Sequence, residues 1–196
     1  LQWRQIVANM TTKNLKWLAT EAKRLVDAKL LRAIAYSVET AADVEAVAAV
    51  VKEAKLGEAV TIQHVVGLDE TPEQFRALLI AAAESKLRIT LLGFKTTGRG
   101  SAFGARSAAG WLSVLADVCA KQYLRVGIDT VLADRYWDAL LKAGVPAWCM
   151  TRHEGAFSCY IDAVTKQMGP SSYCDETAML PLPDRSSGFQ RSFAMF

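Results

Sequence analysis

The chain has 196 residues, with 23 Lys and Arg against 20 Asp and Glu, a formal net charge of +3, 52% hydrophobic residues and 22% charged ones. That composition is globular rather than disordered, the small net charge gives no electrostatic case for nucleic-acid binding, and no apolar run reaches the roughly 18–20 residues that span a bilayer. The four cysteines, at 119, 149, 159 and 174, do not form a secreted disulfide pattern, so a reducing, cytoplasmic setting is expected.

The run 4–11 reads as a strand, after which Leu15, Leu18, Ala22, Leu25 and Val26 recur at helical spacing. The run 32–38 is the second strand. Thr40 then caps a helix with Val44, Val47, Ala48 and Val51 on one face, closing near Gly57. The third strand is 60–66. Thr71-Pro72-Glu73-Gln74 is a capping box with proline at the first helical position, and its helix carries Phe75, Leu78, Leu79 and Ala82. The fourth strand is 88–94. A helix face of Trp111, Val114, Leu115 and Val118 precedes the fifth strand, 125–132. Asp134 is expected to cap a helix bearing Trp137, Leu140 and Leu141, ended by Gly144 and Pro146. Beyond it, 157–164 reads as a strand, 166–169 as a turn and 171–174 as the returning strand of a hairpin. From Leu180 onward Pro181, Pro183 and Gly188 mark an irregular tail.

The first four strands start about 28 residues apart, and this βα alternation implies a parallel sheet. The expected architecture is α/β, with five βα-type units in 1–147 and a hairpin-bearing extension in 148–196. A doubly wound sheet and a partial (β/α) barrel both fit, since five units cannot close an eightfold barrel of roughly 250 residues. In either, chemistry belongs at the C-terminal strand ends: Thr11 and Thr12, Ser37 and Glu39, His64 and Gly67, residues 95–99, and residues 129–134.

The loop 95–104 follows a strand and precedes a helix. Gly98, Gly100 and Gly104 let a ligand approach the backbone, and Lys95 and Arg99 supply positive charge for a carboxylate or phosphate. The G-x-G-x-x-x-G spacing is one residue off the dinucleotide fingerprint, so a nucleotide or phosphorylated-metabolite site competes with a plain flexible loop. Ser37 and Glu39, two residues apart, share one face of a strand exit. They suit ribose hydroxyls or an amino group, or else a helix cap and a solvated acid. His64 lies in an otherwise apolar strand, either as a hydrogen-bonded core residue or as a ligand group. Cys149, His153, Cys159 and Cys174 have metal-ligand chemistry, but their C-x3-H-x5-C-x14-C spacing matches no tight zinc knuckle, and Cys119 reads as a small core residue.

Several segments together resemble one family. Asn9-Met10-Thr11-Thr12 is similar to the Thr-Asn-Gly strand end of radical S-adenosylmethionine (SAM) enzymes, and Ala35-Tyr36-Ser37-Val38-Glu39 resembles their next strand, which often ends Ser-Leu-Asp. His64-Val65-Val66 and Leu91-Leu92-Gly93-Phe94-Lys95 continue the partial barrel in order, and Tyr160-Ile161-Asp162 resembles the segment after it. Cys159, Gly169 and Cys174 fit the C-x9-G-x4-C opening of an auxiliary-cluster extension found in some peptide-modifying members. The family's C-x3-C-x2-C cluster motif and its Gly-Gly-Glu motif are absent, as are the further cysteines that complete an auxiliary cluster.

The resemblance implies a fragment of an enzyme that binds SAM and a [4Fe-4S] cluster, takes electrons from a reductant and generates a 5′-deoxyadenosyl radical. That radical abstracts hydrogen from a small-molecule or peptide substrate. It implies that Ser37 and Glu39 hold the ribose or the methionyl amino group, that His64 and Val66 line the cofactor, and that Lys95 and Arg99 sit by the methionyl carboxylate or the substrate. It leaves Cys159 and Cys174 as candidate metal ligands and the chain inactive without its cluster-binding segment. A non-catalytic, barrel-like binding module is the alternative to both enzyme readings.

Overall fold

A computed structural model describes residues 7–10, 14–68, 70–95, 110–155, 159–171, 174–183 and 195. Strands β1 (Val7–Met10), β2 (Ala33–Ser37), β3 (Val60–Val65), β4 (Arg88–Leu92) and β5 (Arg125–Ile128) pair in parallel, in the order in which they occur along the chain. The intervening segments are helical. They comprise α1 (Leu15–Trp17), which runs through a π-helical turn (Leu18–Ala22) into α2 (Lys23–Asp27), then α3 (Ala41–Glu53), α4 (Pro72–Glu84), α5 (Trp111–Lys121) and, after β5, α6 (Thr130–Lys142).

Right-handed crossovers that always step to the next neighbour leave the helices on one face of the sheet. The contacts agree. α1 touches α3, α3 touches α4, and α4 touches α5, and the Trp111 ring of α5 meets Tyr136 of α6 edge-on at 5.5 Å. Strand burial alternates accordingly. Val60, Ile62 and His64 of β3 are buried against the helices, whereas Thr61, Gln63 and Val65 are only partly covered. The order has no reversal among the described strands, so they contain no topological switch point of the kind a doubly wound sheet requires.

Helix starts follow the expected chemistry at Thr40 and Thr71. Each hydroxyl accepts from the backbone N–H three residues on, and Asp43 and Gln74 close the reciprocal bonds. Helix ends share a device. Lys29, Lys55, Lys86 and Gly144 all stand in the left-handed region. Around them Leu56 N donates to Val51 O (3.0 Å) and Lys55 N to Lys52 O (3.3 Å), with equivalent pairs at Leu30, Leu87 and Val145. These are Schellman closures with an apolar residue after the left-handed one. The tripeptides Ala28-Lys29-Leu30, Ala54-Lys55-Leu56, Ser85-Lys86-Leu87 and Ala143-Gly144-Val145 carry them.

Four expectations are corrected. The fifth strand stops at Ile128, and Asp129, not Asp134, caps α6. Asp129 Oδ1 accepts from Leu132 N at 2.8 Å, so the apolar run 131–132 is already helical. The earlier start turns Leu132, Ala133 and Leu140 into the core and leaves Leu141 exposed. At the C-terminal end, Tyr160–Asp162 (β6) pairs with Gln167–Gly169 (β7), so the return begins earlier than 171–174 and the turn occupies 163–166. Asp162 Oδ1 accepts from Val164 N (2.8 Å) and Thr165 N (3.1 Å), which closes the turn at once. Leu180–Pro181 is not irregular. It forms β8, antiparallel to β7, in a second sheet of order β6-β7-β8. Proline fits there because an edge strand tolerates a missing donor. Cys119, expected in the core, is exposed.

Candidate functional site at the strand ends

The sheet face away from the helices carries small and polar residues in two rows, with the apolar pair Val65 and Leu92 above them toward the strand exits. Register places Ser37, Gln63, Thr90 and Gly127 in one row across β2 to β5, and Ala35, Thr61, Arg88 and Arg125 in the row below. None of these eight is a large apolar side chain.

At the C-terminal edge, three segments converge. Gly93, just past β4, donates its N–H to Asp129 Oδ1 at 2.9 Å, which ties the exit of β4 to the start of α6. Thr130, the first residue of α6, hydrogen-bonds through its hydroxyl to Glu154 Oε1. Lys95 is half-buried beside both acids. Burial depresses its ammonium below the ordinary lysine value, against the opposing pull of Asp129 and Glu154. Burial likewise pushes the Asp129 carboxyl up, against the two backbone N–H groups and Lys95, which favour the charged form. The edge therefore presents one ammonium between two carboxylates, a set that complements the two ends of an amino-acid zwitterion.

The expected site residues separate into two groups. Ser37 lies on the open face. Glu39 is exposed beyond it, its backbone N–H donating to Asp43 Oδ2 at 3.0 Å. Lys95 stands at the edge cluster. His64 and Val66 are 5% and 2% exposed, on the helix-facing side, so their side chains turn away from the open face.

His64 Nδ1 lies 3.1 Å from Val38 O, its ring stacks on Phe75 at 5.8 Å, and Nε2 is 3.5 Å from Glu70 Oε1. That last approach is an ion-pair distance without hydrogen-bond geometry, which leaves Nε2 without a hydrogen-bond partner among the described residues. Burial works to raise the Glu70 carboxyl. The His64 ring and the Gly67 N–H (2.6 Å) outweigh it and hold the group below the ordinary glutamate value. His64 thus braces the β3–α4 turn.

Arg99 and the glycines Gly98, Gly100 and Gly104 lie outside the described residues. Glu154 carries no signal in the sequence, being brought to the edge from beyond α6. Cys159 precedes β6 and its thiol is pushed up by burial. Cys174 Sγ contacts Met179 Sδ at 3.5 Å and donates to Ser171 O at 3.1 Å. Among the described residues no group of three or more His, Cys, Asp or Glu side chains is disposed to hold a metal ion. No described helix is long and apolar enough to cross a membrane. No family profile matches the chain, and no curated protein matches it in sequence.

Proposed function

We propose that the parallel sheet is part of a partial (β/α) barrel of the radical SAM type, and that its open face and C-terminal edge bind S-adenosylmethionine for reaction with a small-molecule or peptide substrate. The observation that carries this reading is the sheet itself: five parallel strands in unreversed order, helices on one face, and a row of Ser37, Gln63, Thr90 and Gly127 on the other. A barrel interior becomes a ligand site where its side chains are short enough to leave room and polar enough to hydrogen-bond.

The donor set suits the cofactor. Ser37 and Gln63 would hydrogen-bond the ribose or the base, Lys95 would hold the methionyl carboxylate, and Asp129 and Glu154 would face its amino group. Glu39, at the strand exit, would reach the ribose rim. His64 and Val66 would act from behind, fixing the β3 exit. In enzymes of this type SAM supplies a 5′-deoxyadenosyl radical that abstracts hydrogen from substrate. The described residues do not fit a [4Fe-4S] cluster, given the absent C-x3-C-x2-C motif and the lack of any metal-ligand group among them, and no step through one is assigned to this chain.

The test is an amide NMR titration with SAM, with ATP in parallel. SAM should shift signals at Ser37, Gln63 and Lys95, and Gln63→Leu should weaken binding roughly tenfold, as loss of one buried hydrogen bond does. No shifts up to about 10 mM SAM, or shifts from ATP alone, would refute the proposal.

A further inference from the structure

At the opposite end of the sheet, the N-terminal ends of β3, β4 and β5 border a cavity of about 660 Å³. We propose that it binds a small aromatic carboxylate. This site adjoins the face proposed for SAM, sharing Thr90 and Gly127 with it, but its argument rests on the opposite strand ends and not on that reading. The volume falls in the range of roughly 300–1,000 Å³ that small-molecule sites occupy. Thr61, Thr90 and Gly127 line it from the open face, and Val145 and Pro146, from the segment after α6, line it from the other side.

The charge at this end is unbalanced in favour of an anion. Arg88 and Arg125 both line the cavity, and both lean on Glu58. Glu58 commits both carboxylate oxygens to Arg125, Oε1 to Nη1 at 2.6 Å and Oε2 to Nη2 at 2.5 Å. Arg88 Nη2 reaches only the Glu58 backbone carbonyl. Its Nε lies 3.6 Å from Glu58 Oε2, shielded from solvent and without a hydrogen-bond acceptor among the described residues. Two guanidinium groups against one carboxylate leave a surplus positive charge, and a guanidinium takes a carboxylate in a two-pronged fork.

The rest of the ligand follows from the rim. Trp148 and Tyr123 line the cavity and are 87% and 84% exposed, the largest aromatic surfaces left open among the described residues. A planar apolar ring would cover them while its carboxylate reached Arg88.

Cysteine positions supply the readout. Cys119 and Cys149 line the cavity, whereas Cys159 and Cys174 lie outside it. The probe is 1-naphthoate, and the assay is the rate of iodoacetamide alkylation at each cysteine, read by mass spectrometry. At probe about ten times its Kd, Cys119 and Cys149 should react roughly tenfold more slowly, because the free fraction falls as 1/(1 + [L]/Kd), with Cys159 and Cys174 unchanged. The neutral analogue 1-naphthalenemethanol should protect clearly less.

Gly127→Ile should abolish protection. A Cβ there would meet only Thr90 Oγ1, at 3.8 Å, so the new side chain enters the cavity from the strand without a clash at its base. Equal protection of all four thiols, no protection up to about 5 mM 1-naphthoate, or equal protection by the neutral analogue would overturn the proposal. So would a folded Gly127→Ile variant that still protects.

Discussion

Replacing Asp129 by alanine should loosen the edge where the candidate site is assembled. One oxygen, Oδ1, accepts both from Leu132 N at 2.8 Å and from Gly93 N at 2.9 Å, so the substitution removes a helix cap and the link to β4 together. Loss of an N-cap costs about 0.5–2 kcal/mol, and a part-buried amide left without an acceptor costs about 1–3 kcal/mol. The sum is about 1.5–5 kcal/mol, which in a chain of this size lowers Tm by roughly 3–20 °C. Asp129→Asn keeps an acceptor at the same place and should cost less than half as much. It should also depress the Lys95 ammonium further by removing a neighbouring negative charge. Urea unfolding of the three proteins, with NMR titration of Lys95, measures both effects. If alanine and asparagine destabilise equally, charge beside Lys95 holds the edge, and the two amide bonds do not.

The pH dependence should carry a Glu70 signature. Its folded-state carboxyl lies below the ordinary 4.5, so its contribution is fully present above pH 4.5 and is lost as the pH falls through the depressed folded value; in Glu70→Gln that acid-side loss should be absent from the stability profile. Gly169→Ala should destabilise by about 1–3 kcal/mol, because the new Cβ would collide with Met179 Sδ and stand 3.0 Å from Cys174 Sγ; adding Met179→Ala should recover part of the loss in thermal melts, and no recovery would refute the clash. Lys86→Gly should be neutral to stabilising by up to about 1 kcal/mol, since φ is +56° there and a left-handed residue with a Cβ is strained; a loss in chemical denaturation would count against that account.

How much was legible depended on how local the cause was. Alternation in β3, the cap at Thr40 and the capping box at Thr71 are decided within a few residues, and the structure matches them closely. The start of α6 is obscured because Val131 and Leu132 resume the apolar pattern of β5 just past Asp129 and Thr130, while the deciding bond, Asp129 to Gly93, joins residues 36 apart. The C-terminal return starts earlier than the apolar pattern implies because Asp162 turns the chain with its own side chain before that pattern ends. The repeated Lys-Leu helix closures were present in plain sequence, yet lysine is not the residue that a left-handed cap leads one to expect. At the site, Ser37 and Lys95 were legible as strand ends. His64 was recognisable as unusual, but its side could be decided only from the phase of β3. Glu154 gave no signal at all, since only the path of the chain beyond α6 brings it to Thr130.

That phase governs what the sheet can do. A closed barrel fills its interior with layers of bulky branched residues and is dry. Here the helix-facing positions carry the bulk, with Ile34, Ile62, Ile89 and Leu91 essentially sealed. The open face instead carries Ser37, Gln63, Thr90 and Gly127 in one row and Ala35, Thr61, Arg88 and Arg125 in the next, below a single apolar pair, Val65 and Leu92. Such rows cannot pack against an apolar layer without stranding their hydroxyl, amide and guanidinium groups, each at a cost of about 1–3 kcal/mol if left unbonded. Water, a polar partner or a ligand must therefore meet this face. The two ends of the same strands then differ in what they can recruit: the upper end holds an ammonium between two carboxylates, and the lower end holds two guanidinium groups on one. Under the two proposals a zwitterion would meet the first and a simple anion the second, with no change of backbone between them.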